Sequence, residues 1–323
     1  MIINLSHGSG GMETSQLIDT VFMKHFRNEY TTMQDSAVLP FEGSRLAFTT
    51  DSFVVDPLFF PGGDIGRLAV CGTVNDLLTT GGKPLYLSAS FILEENLDSD
   101  ILERIVRSMR EVAAEAGVLI VAGDTKVIEG SGGLYITTAG VGVAGTVNLS
   151  GVAPGDAILV SGTLGDHHAC ISSMRMGIRN NIRSDAAPLT EMVSELCNSG
   201  VPVHGLRDVT RGGLATIINE VASLAGLRAE LDESALPVSE EVRGLCRILG
   251  LDPLYMGNEG KMMVIVPGDF SAEALTILEK TLYGKNAAVV GRVVVGSGVV
   301  LNTEIGGQRR LPALSGEGLP RIC

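Results

Sequence analysis

Several carboxylates in the sequence stand where a strand or a helix is predicted to end. Asp51 follows a predicted strand over residues 45–50, and Asp124 comes just after a predicted buried strand over 118–122, with Lys126 two residues further on. Carboxylate oxygens are the ligands that Mg²⁺ prefers, and a lysine can pair with a phosphate oxygen. The pattern indicates a site for a metal-bound polyphosphate, although ordinary surface turns use the same residue types.

The second half of the sequence repeats this arrangement. The stretch Arg207–Leu214 follows a predicted strand over residues 203–206, contains Asp208 and Thr210, and leads through two glycines into a predicted helix. Backbone N–H groups at a helix N-terminus attract anions. We interpret this stretch as a second phosphate or metal contact.

One further acid lies inside a predicted helix over residues 65–80, for which Asp64 is the predicted N-cap. Apolar residues recur along this helix at helical spacing, and Asn75 and Asp76 interrupt them. Burying a carboxylate is unfavourable unless it is paired or bound to a metal. We therefore expect Asp76 to be functional.

The N-terminal stretch Ser6–Gly11 is rich in glycine and precedes a predicted helix over residues 12–26. Its glycines, Gly8 and Gly10 among them, can present backbone N–H groups to phosphates. It is not a Walker A loop, because no Gly-Lys-Ser/Thr follows. A mobile N-terminus explains the same composition.

The cysteine at position 323 stands in a different context from the other four. Residues 313–319 before it are small, polar and glycine-rich, which is typical of a flexible linker. At about 3.3–3.6 Å per residue, the stretch from Leu311 to Cys323 would let the thiol sweep roughly 40 Å. The thiol could then visit a site on this protein and another on a partner, although a ragged terminus would look the same.

The remaining cysteines form no CxxC pair, so neither a disulfide framework nor a structural zinc site is expected. Cys71, Cys197 and Cys246 lie in apolar helical patterns, which predicts that they are buried as small hydrophobic residues. Thiols that stay reduced indicate a cytoplasmic protein.

The composition narrows the class of protein. A length of 323 residues predicts two domains, and a hydrophobic content of 45% is ample for their cores. The net charge of −13 argues against a protein that binds nucleic acid or anionic membranes. No apolar run is long enough to span a bilayer, and no signal peptide is recognisable. Strands and helices alternate in both halves, so we expect two α/β modules whose strand-end acids meet in a cleft.

Five short motifs occur in order along the chain, and Pro-Arg-Ile-Cys closes the sequence after them. The motifs are Thr50–Phe53, Val74–Leu77, Gly123–Lys126, Arg207–Gly213 and Asn258–Lys261. With this set the chain resembles the HypE family of hydrogenase maturation proteins over essentially its whole length, within the wider PurM-like ATP-binding group. The resemblance implies an α/β (α+β) class and a two-domain PurM-like fold. Its N-terminal mixed sheet and helices would form the barrel of a homodimer, and its C-terminal domain would be α/β.

The resemblance also implies a division of the chain into four parts. Residues 1–32 would form the glycine-rich loop and N-terminal helix, and 33–150 an N-terminal domain for dimerisation and ATP binding. Residues 151–311 would form the C-terminal domain, with Mg-ATP between the two domains, and 312–323 a flexible tail.

The activity implied by the resemblance is carried by the tail. A carbamoyltransferase, HypF, would place a carbamoyl group on Cys323, and ATP would then be used to dehydrate the S-carboxamide to a thiocyanate. The cyano group would pass to iron held by a HypC–HypD complex, as a ligand of the [NiFe]-hydrogenase centre. Phosphoryl transfer of this kind mainly needs positioning and neutralisation of charge.

The resemblance assigns roles to individual residues as well. Mg²⁺ would be held by Asp51, Asp76, Asp124 and Asp208. ATP would contact these acids and Gly8, Gly10, Asn75, Thr125, Lys126 and Thr210. Lys126 would also neutralise the transferred phosphate. Glu259 is the candidate base for the amide N–H, a role that Lys126 could share, although an ion pair with Lys261 would explain Glu259 equally well.

Three alternatives remain at the level of the sequence. Selenophosphate synthesis would place a reactive cysteine in the N-terminal glycine-rich loop, where this sequence has none. A small-molecule kinase or ATP-dependent synthetase of the same fold would not need Cys323. A non-catalytic thiol carrier would use Cys323 without coupling ATP hydrolysis to its modification.

Overall fold

The computed structural model describes residues 11–17, 19–20, 36–42 and 44–316 of the chain. In the first half, a five-stranded sheet with the order β1-β2-β7-β5-β6 is covered on one face by helices α2 and α3. The elements are α1 (Met12–Leu17), β1 (Ala37–Phe41), β2 (Ser44–Phe53), β3 (Phe59–Phe60), β4 (Gly63–Asp64), α2 (Ile65–Leu78), β5 (Lys83–Glu94), α3 (Ser99–Ala116), β6 (Leu119–Ile128) and β7 (Leu134–Val143).

The second half builds a seven-stranded mixed sheet with the order β14-β13-β10-β12-β8-β11-β9. Its elements are β8 (Asp156–Val160), α4 (Asp166–Arg175), α5 (Thr190–Asn198), β9 (Gly205–Asp208), α6 (Gly213–Ala225), β10 (Arg228–Asp232), α7 (Glu240–Leu249), β11 (Met262–Pro267), α8 (Ser271–Lys280), β12 (Ala288–Val294), β13 (Gly298–Asn302) and β14 (Gln308–Arg310).

Two hydrophobic cores lie on opposite faces of the second sheet. Along β8, Ala157 and Leu159 belong to a core that continues into the first half, whereas Ile158 and Val160 face a separate core beneath α6. Successive side chains of a strand point to opposite faces, so a continuous apolar run indicates a strand buried on both. The shared core joins the two halves through packed side chains.

The sheet of the first half is covered on one side only. Ala47 and Thr49 of β2 are buried toward the helices, whereas Phe48 between them is exposed. Phe48, Val141 and Tyr86 are cross-strand neighbours on the open face. This chain alone therefore leaves an apolar sheet face in contact with solvent.

Most of the predicted elements are present, with differences at some of their ends. The helix predicted over 65–80 is α2, and Asp64 is its N-cap, since its Oδ1 accepts the N–H of Arg67 at 2.9 Å. Of the helix predicted over 12–26, the structure describes Met12–Leu17. The sequence reading missed β1, the β3–β4 hairpin, β10 and β14. Cys71 and Cys246 are buried as predicted, whereas Cys197 is partly exposed.

The prediction for residues 118–122 is wrong. We expected a short buried strand that ends before Gly123, but β6 runs on to Ile128 and is exposed along its whole length. It pairs in parallel with β5 and forms the edge of the sheet. The Gly123–Lys126 motif therefore lies inside an edge strand rather than at a strand end.

None of the helices in the described ranges is both long and apolar enough to cross a lipid bilayer.

Candidate active site

A polar cavity of about 190 Å³ lies between the two halves. The first half contributes β2 and the C-terminal part of α2, and the second half contributes the loop between β9 and α6 and the loop before β11. The cavity is lined by residues 49–53, Asp76, Asp208, Thr210, Arg211 and Glu259. Five of the predicted site residues, Asp51, Asp76, Asp208, Thr210 and Glu259, are thus brought together from four separate segments.

Asp51 and Arg211 face each other across this cavity. The Asp51 Oδ1 atom lies 3.7 Å from an Arg211 guanidinium nitrogen and accepts the backbone N–H of Ser52 at 2.8 Å. Burial raises the pKa of Asp51, while Arg211 and the Ser52 N–H act against that rise. Arg211 brings positive charge to an otherwise acidic site, and such a planar cation suits phosphate oxygens.

Asp76 lies in the last turn of α2, on the side that meets β2. Its Oδ2 atom accepts a hydrogen bond from the Thr49 hydroxyl at 2.8 Å. Most residues of α2 are fully buried, but Asp76 is only partly buried because it borders the cavity. The carboxylate is therefore oriented by a neighbouring strand and remains accessible to a ligand.

Glu259 is a buried carboxylate at the bottom of the site, with 7% of its surface exposed. Its pKa is raised well above the ordinary value by burial and by the negative charges of Asp51 and Asp185, with Arg211 opposing them. The ion pair with Lys261 that we considered for Glu259 is not formed. Lys261 pairs instead with Asp185, at 3.0 Å.

The cavity suits a hydrated magnesium ion that arrives with a polyphosphate. Within the described ranges, no three His, Cys, Asp or Glu side chains converge closely enough to hold a metal ion by themselves. Mg²⁺ commonly binds one or two carboxylates and takes its other ligands from water and phosphate. Burial raises the pKa of Glu259 and repulsion by nearby carboxylates raises it further, and a cation would offset this negative charge. Asp51, Asp76 and Asp208 would supply the hard oxygen ligands for such an ion.

Three predicted residues lie away from the cavity within one chain. Asp124, Thr125 and Lys126 are on the exposed strand β6, where Asp124 and Lys126 form an ion pair at 3.3 Å. The pKa of Asp124 is lowered by the Thr125 N–H and by Lys126. These residues do not meet Asp51 or Asp76 in a single chain.

Asn75, a predicted ATP contact, is buried at the contact between the two halves. Its side-chain amide donates to the carbonyl of Ala187 and accepts the N–H of Leu189, both at 3.0 Å. The side chain therefore binds the second half of the protein directly. Gly8, Gly10 and Cys323 lie outside the described residues.

The first part of the predicted flexible tail is hydrogen-bonded to the domain. The Tyr255 hydroxyl donates to the carbonyl of Pro312 at 2.9 Å, and Leu314 N–H donates to the Thr216 hydroxyl at 3.1 Å. Met12 N–H donates to Leu314 O at 3.0 Å, and Gly316 N–H donates to the Glu13 carboxylate. Backbone groups of residues 312–316 thus find partners on α1, on α6 and at Tyr255, whereas the rest of the predicted tail lies outside the described residues.

Sequence reasoning missed two residues of this region. Arg211 stands in the motif Arg207–Gly213. An arginine beside acids that are expected to hold a metal-bound phosphate was a usable signal. Asp185 stands in Ser184–Pro188, a loop with no motif, and its contacts with residues 259–261 come from tertiary structure. No pattern in the sequence marks it.

Comparison with known proteins places the chain in a family. The N-terminal domain of the AIR synthase related proteins matches residues 33–144, and the C-terminal domain of the same family matches 153–303. The carbamoyl dehydratase HypE of Rhodobacter capsulatus is 47% identical over an alignment of 334 positions, which covers 99% of this chain and 98% of that protein.

Two solved structures are similar over nearly the whole chain. A chain in the crystal structure of a HypE–HypF complex matches with a TM-score of 0.88 at 44% identity, and covers 92% of this chain and 99% of its own length. A crystal structure of the hydrogenase maturation protein HypE in complex with ATP matches with a TM-score of 0.84 at 46% identity, with complete coverage of both chains. The resemblance and the two-domain α/β fold predicted from the sequence are confirmed, and the chain belongs to the carbamoyl dehydratase HypE family, within the AIR synthase related proteins.

Proposed function

We propose that this chain is an ATP-dependent carbamoyl dehydratase, which converts an S-carbamoyl group on Cys323 into a thiocyanate. The product would supply the cyanide ligand for the iron of [NiFe]-hydrogenase. The observation that carries the proposal is the 47% identity to a carbamoyl dehydratase over 99% of the chain. The acidic cavity between the two halves is consistent with it, because phosphoryl transfer requires positioned charge rather than covalent chemistry.

The reaction removes an oxygen atom that is a poor leaving group. Transfer of the γ-phosphoryl group of ATP to the carboxamide oxygen forms an O–P bond, releases ADP and frees one N–H proton. Loss of phosphate then breaks the C–O bond, the second N–H proton goes to a base, and the C≡N bond is complete. The sulfur–carbon bond to Cys323 is kept throughout.

The residues of the cavity have separate tasks in this scheme. Asp51, Asp76 and Asp208 would hold Mg²⁺, which supplies charge neutralisation for the phosphates when it is bound. Glu259 would accept an N–H proton. Its raised pKa makes it a stronger base than an exposed glutamate, and an effective base has a pKa near the working pH.

The other predicted ATP contacts belong to the proposal too. They are Gly8, Gly10, Asp124, Thr125, Lys126 and Thr210, whereas the Asn75 side chain is bound to Ala187 and Leu189 instead. Thr210 borders the cavity. Lys126 would neutralise the transferred phosphate and could share the role of base, and Asp124 would be a further Mg²⁺ ligand; both lie outside the cavity of a single chain.

Partners follow from the same reaction. HypF would load the carbamoyl group, which is supported by the similarity to a chain of a HypE–HypF complex. A HypC–HypD complex would accept the cyano group. We place the reaction in the cytoplasm, where Cys323 would stay reduced as the free thiol that carries the group.

A homodimer would cover the exposed edge of the first sheet. The edge strand β6 exposes Leu119 at 64%, Val121 at 60% and Val127 at 66%. Next to it, α3 and β6 line an apolar groove of about 540 Å³. Exposed apolar surface of this extent is typical of an interface between protein chains, and a second copy of the same strand is its simplest partner.

Intact-protein mass spectrometry tests the function directly. The chain is incubated with the carbamoyltransferase, carbamoyl phosphate and Mg-ATP, and the adduct is mapped to a peptide. We expect a carbamoyl adduct on Cys323 that loses one water only when ATP is hydrolysed, no adduct in Cys323→Ala, and a normal adduct in Cys197→Ala. An adduct that never loses water would indicate a carrier. ATP consumption without an adduct would indicate a small-molecule kinase.

A further inference from the structure

The carboxylate of Asp185 lies directly behind the loop that carries Glu259. Its Oδ1 accepts the backbone N–H of Glu259, and its Oδ2 accepts the backbone N–H of Gly260, both at 3.2 Å. The Lys261 ammonium reaches the same Oδ2 at 3.0 Å. The side chain of Asp185 is 4% exposed and that of Lys261 is 9% exposed. One buried carboxylate thus binds three successive residues.

The backbone of the loop at 259–261 lies unusually close to the backbone of residues 185–187. A Cβ atom added at Gly260 would lie 2.0 Å from the carbonyl oxygen of Asp185 and 2.8 Å from the nitrogen of Ala187. Ala187 N–H also donates to the carbonyl of Glu259 at 3.4 Å. Both the N–H and the carbonyl of Glu259 are therefore hydrogen-bonded to residues 185–187, and the position of Glu259 depends on where that segment lies.

Residues 184–189, which we call the clamp segment, are in turn fixed by the first half of the protein. Ser184 N–H donates to the carbonyl of Pro61 at 2.7 Å, and the Arg67 guanidinium donates to the carbonyl of Ala186 at 2.6 Å. Asn75 binds both Ala187 and Leu189. The position of Glu259 therefore depends on helix α2, which binds the clamp segment through Arg67 and Asn75 and also carries Asp76.

We propose that Asp185 is a positioning residue, which fixes the Glu259 carboxylate toward the carboxamide during dehydration. The proposal rests on the proposed function. Asp185 does not line the cavity, so it would not touch the substrate. It acts on the reaction through the backbone of residues 259 and 260.

A carboxylate suits this task better than an amide. It offers two acceptor oxygens for two successive N–H groups, and hydrogen bonds to an ionised acceptor are shorter and stronger than those to a neutral one. Lys261 supplies the opposite charge that allows the carboxylate to stay ionised when buried. An amide in the same place would turn one of its donors toward a backbone N–H or toward the lysine.

The test measures single-turnover conversion of carbamoylated protein to thiocyanate, together with ATP affinity. We expect Asp185→Asn to slow dehydration roughly 10- to 100-fold, because small displacements of a catalytic group have effects of this size. ATP affinity and loading of the carbamoyl group should stay within about threefold, since these steps do not use Glu259. The double variant Asp185→Asn/Glu259→Gln should be no slower than Glu259→Gln alone.

Asp156 provides a matched control. It is also a buried carboxylate, with 4% of its side chain exposed, and it binds a backbone N–H, that of Ala153 at 2.9 Å, and a second side chain, His204 at 2.8 Å. It lies at the opposite end of the second sheet, where β8 begins. Asp156→Asn should lower stability and leave the rate of dehydration per folded molecule unchanged.

Three outcomes decide the proposal. A wild-type rate in Asp185→Asn, or an effect that adds fully to that of Glu259→Gln, would overturn it. If Asp185→Asn does not accumulate as folded protein, Asp185→Glu is the test, because it keeps the charge for Lys261 and displaces both acceptors by one methylene. A folded Asp185→Glu with the wild-type rate would equally overturn it. Absence of dehydration in the wild-type protein would instead refute the proposed function.

Discussion

At the scale of single residues, Glu259 is a carboxylate whose ionised form is unfavourable in the folded protein, because the side chain is buried among other acids. Burial and the charges of Asp51 and Asp185 raise its pKa well above the ordinary value of 4.5. The folded protein therefore binds this proton more tightly than the unfolded chain does. It follows that the free energy of unfolding falls as the pH rises above about 4.5 and through the raised pKa.

Replacing Glu259 by glutamine separates the stability of the protein from its activity. Glu259→Gln should slow dehydration by roughly 10²- to 10⁴-fold, the usual contribution of a general base. The same variant, studied without ligands, should unfold at a higher urea concentration than the wild type at pH 8, with a smaller difference at pH 5. The exposed Glu103→Gln is the control and should change neither quantity. A stability gain that is equal at both pH values would contradict the assignment.

The sequence motifs predicted most of the acidic residues that line the cavity, but not Asp185, which binds the backbone of Glu259 from behind. Asp51 and Asp208 were found as acids at predicted strand ends, Asp76 as an acid inside an apolar helix, and Glu259 through the family resemblance. Asp185 was not found, because its task depends on a contact with residues some 75 positions away. Such contacts leave no local signal in a single sequence.

At the scale of elements, two neighbouring residues of helix α2 face different parts of the protein. Successive helical residues point about 100° apart, so Asp76 reaches the cavity while Asn75 reaches the second half of the protein. The sequence places both in one motif, and we predicted that both contact ATP. The direction of a side chain around a buried helix depends on its neighbours, which the sequence does not reveal.

The role of Asn75 can be tested by removing its amide. Asn75→Ala should leave the Ala187 carbonyl and the Leu189 N–H without this partner and lower the free energy of unfolding by about 2–5 kcal/mol. Thermal and urea unfolding would measure the change, and ATP titration should give an affinity close to that of the wild type. Asn198→Ala, at an exposed helical asparagine, is the matched control. Lost ATP binding with unchanged stability would return Asn75 to the ATP site.

The strand β6 explains why a run of apolar residues can mislead. Leu119–Ala122 reads as a strand buried on both faces, since consecutive apolar residues are typical of such strands. In a single chain the strand is exposed, and a burial prediction from sequence does not distinguish burial within a chain from burial between chains. The error in the fold is therefore a hint about assembly.

At the scale of the whole molecule, that hint gives a prediction about the oligomer. Val121→Asp places a charge in the middle of the proposed interface and should convert a dimer into a monomer in sedimentation velocity. The circular dichroism spectrum should not change, because Val121 is already exposed in one chain. Val295→Asp introduces the same charge at a residue that is 79% exposed in the second half, and this control should remain a dimer. A dimeric Val121→Asp would exclude β6 from the interface.

The clamp segment also limits how related proteins can be recombined. A chimera that joins the first half of one relative to the second half of another would set residues 184–189 against an unfamiliar Pro61, Arg67 and Asn75 environment. Where those contacts are lost, the loop at 258–261 would be displaced. Crossover points in such a hybrid would therefore have to preserve these contacts across the boundary, and not only the domain limits, for the loop at 258–261 to keep its position.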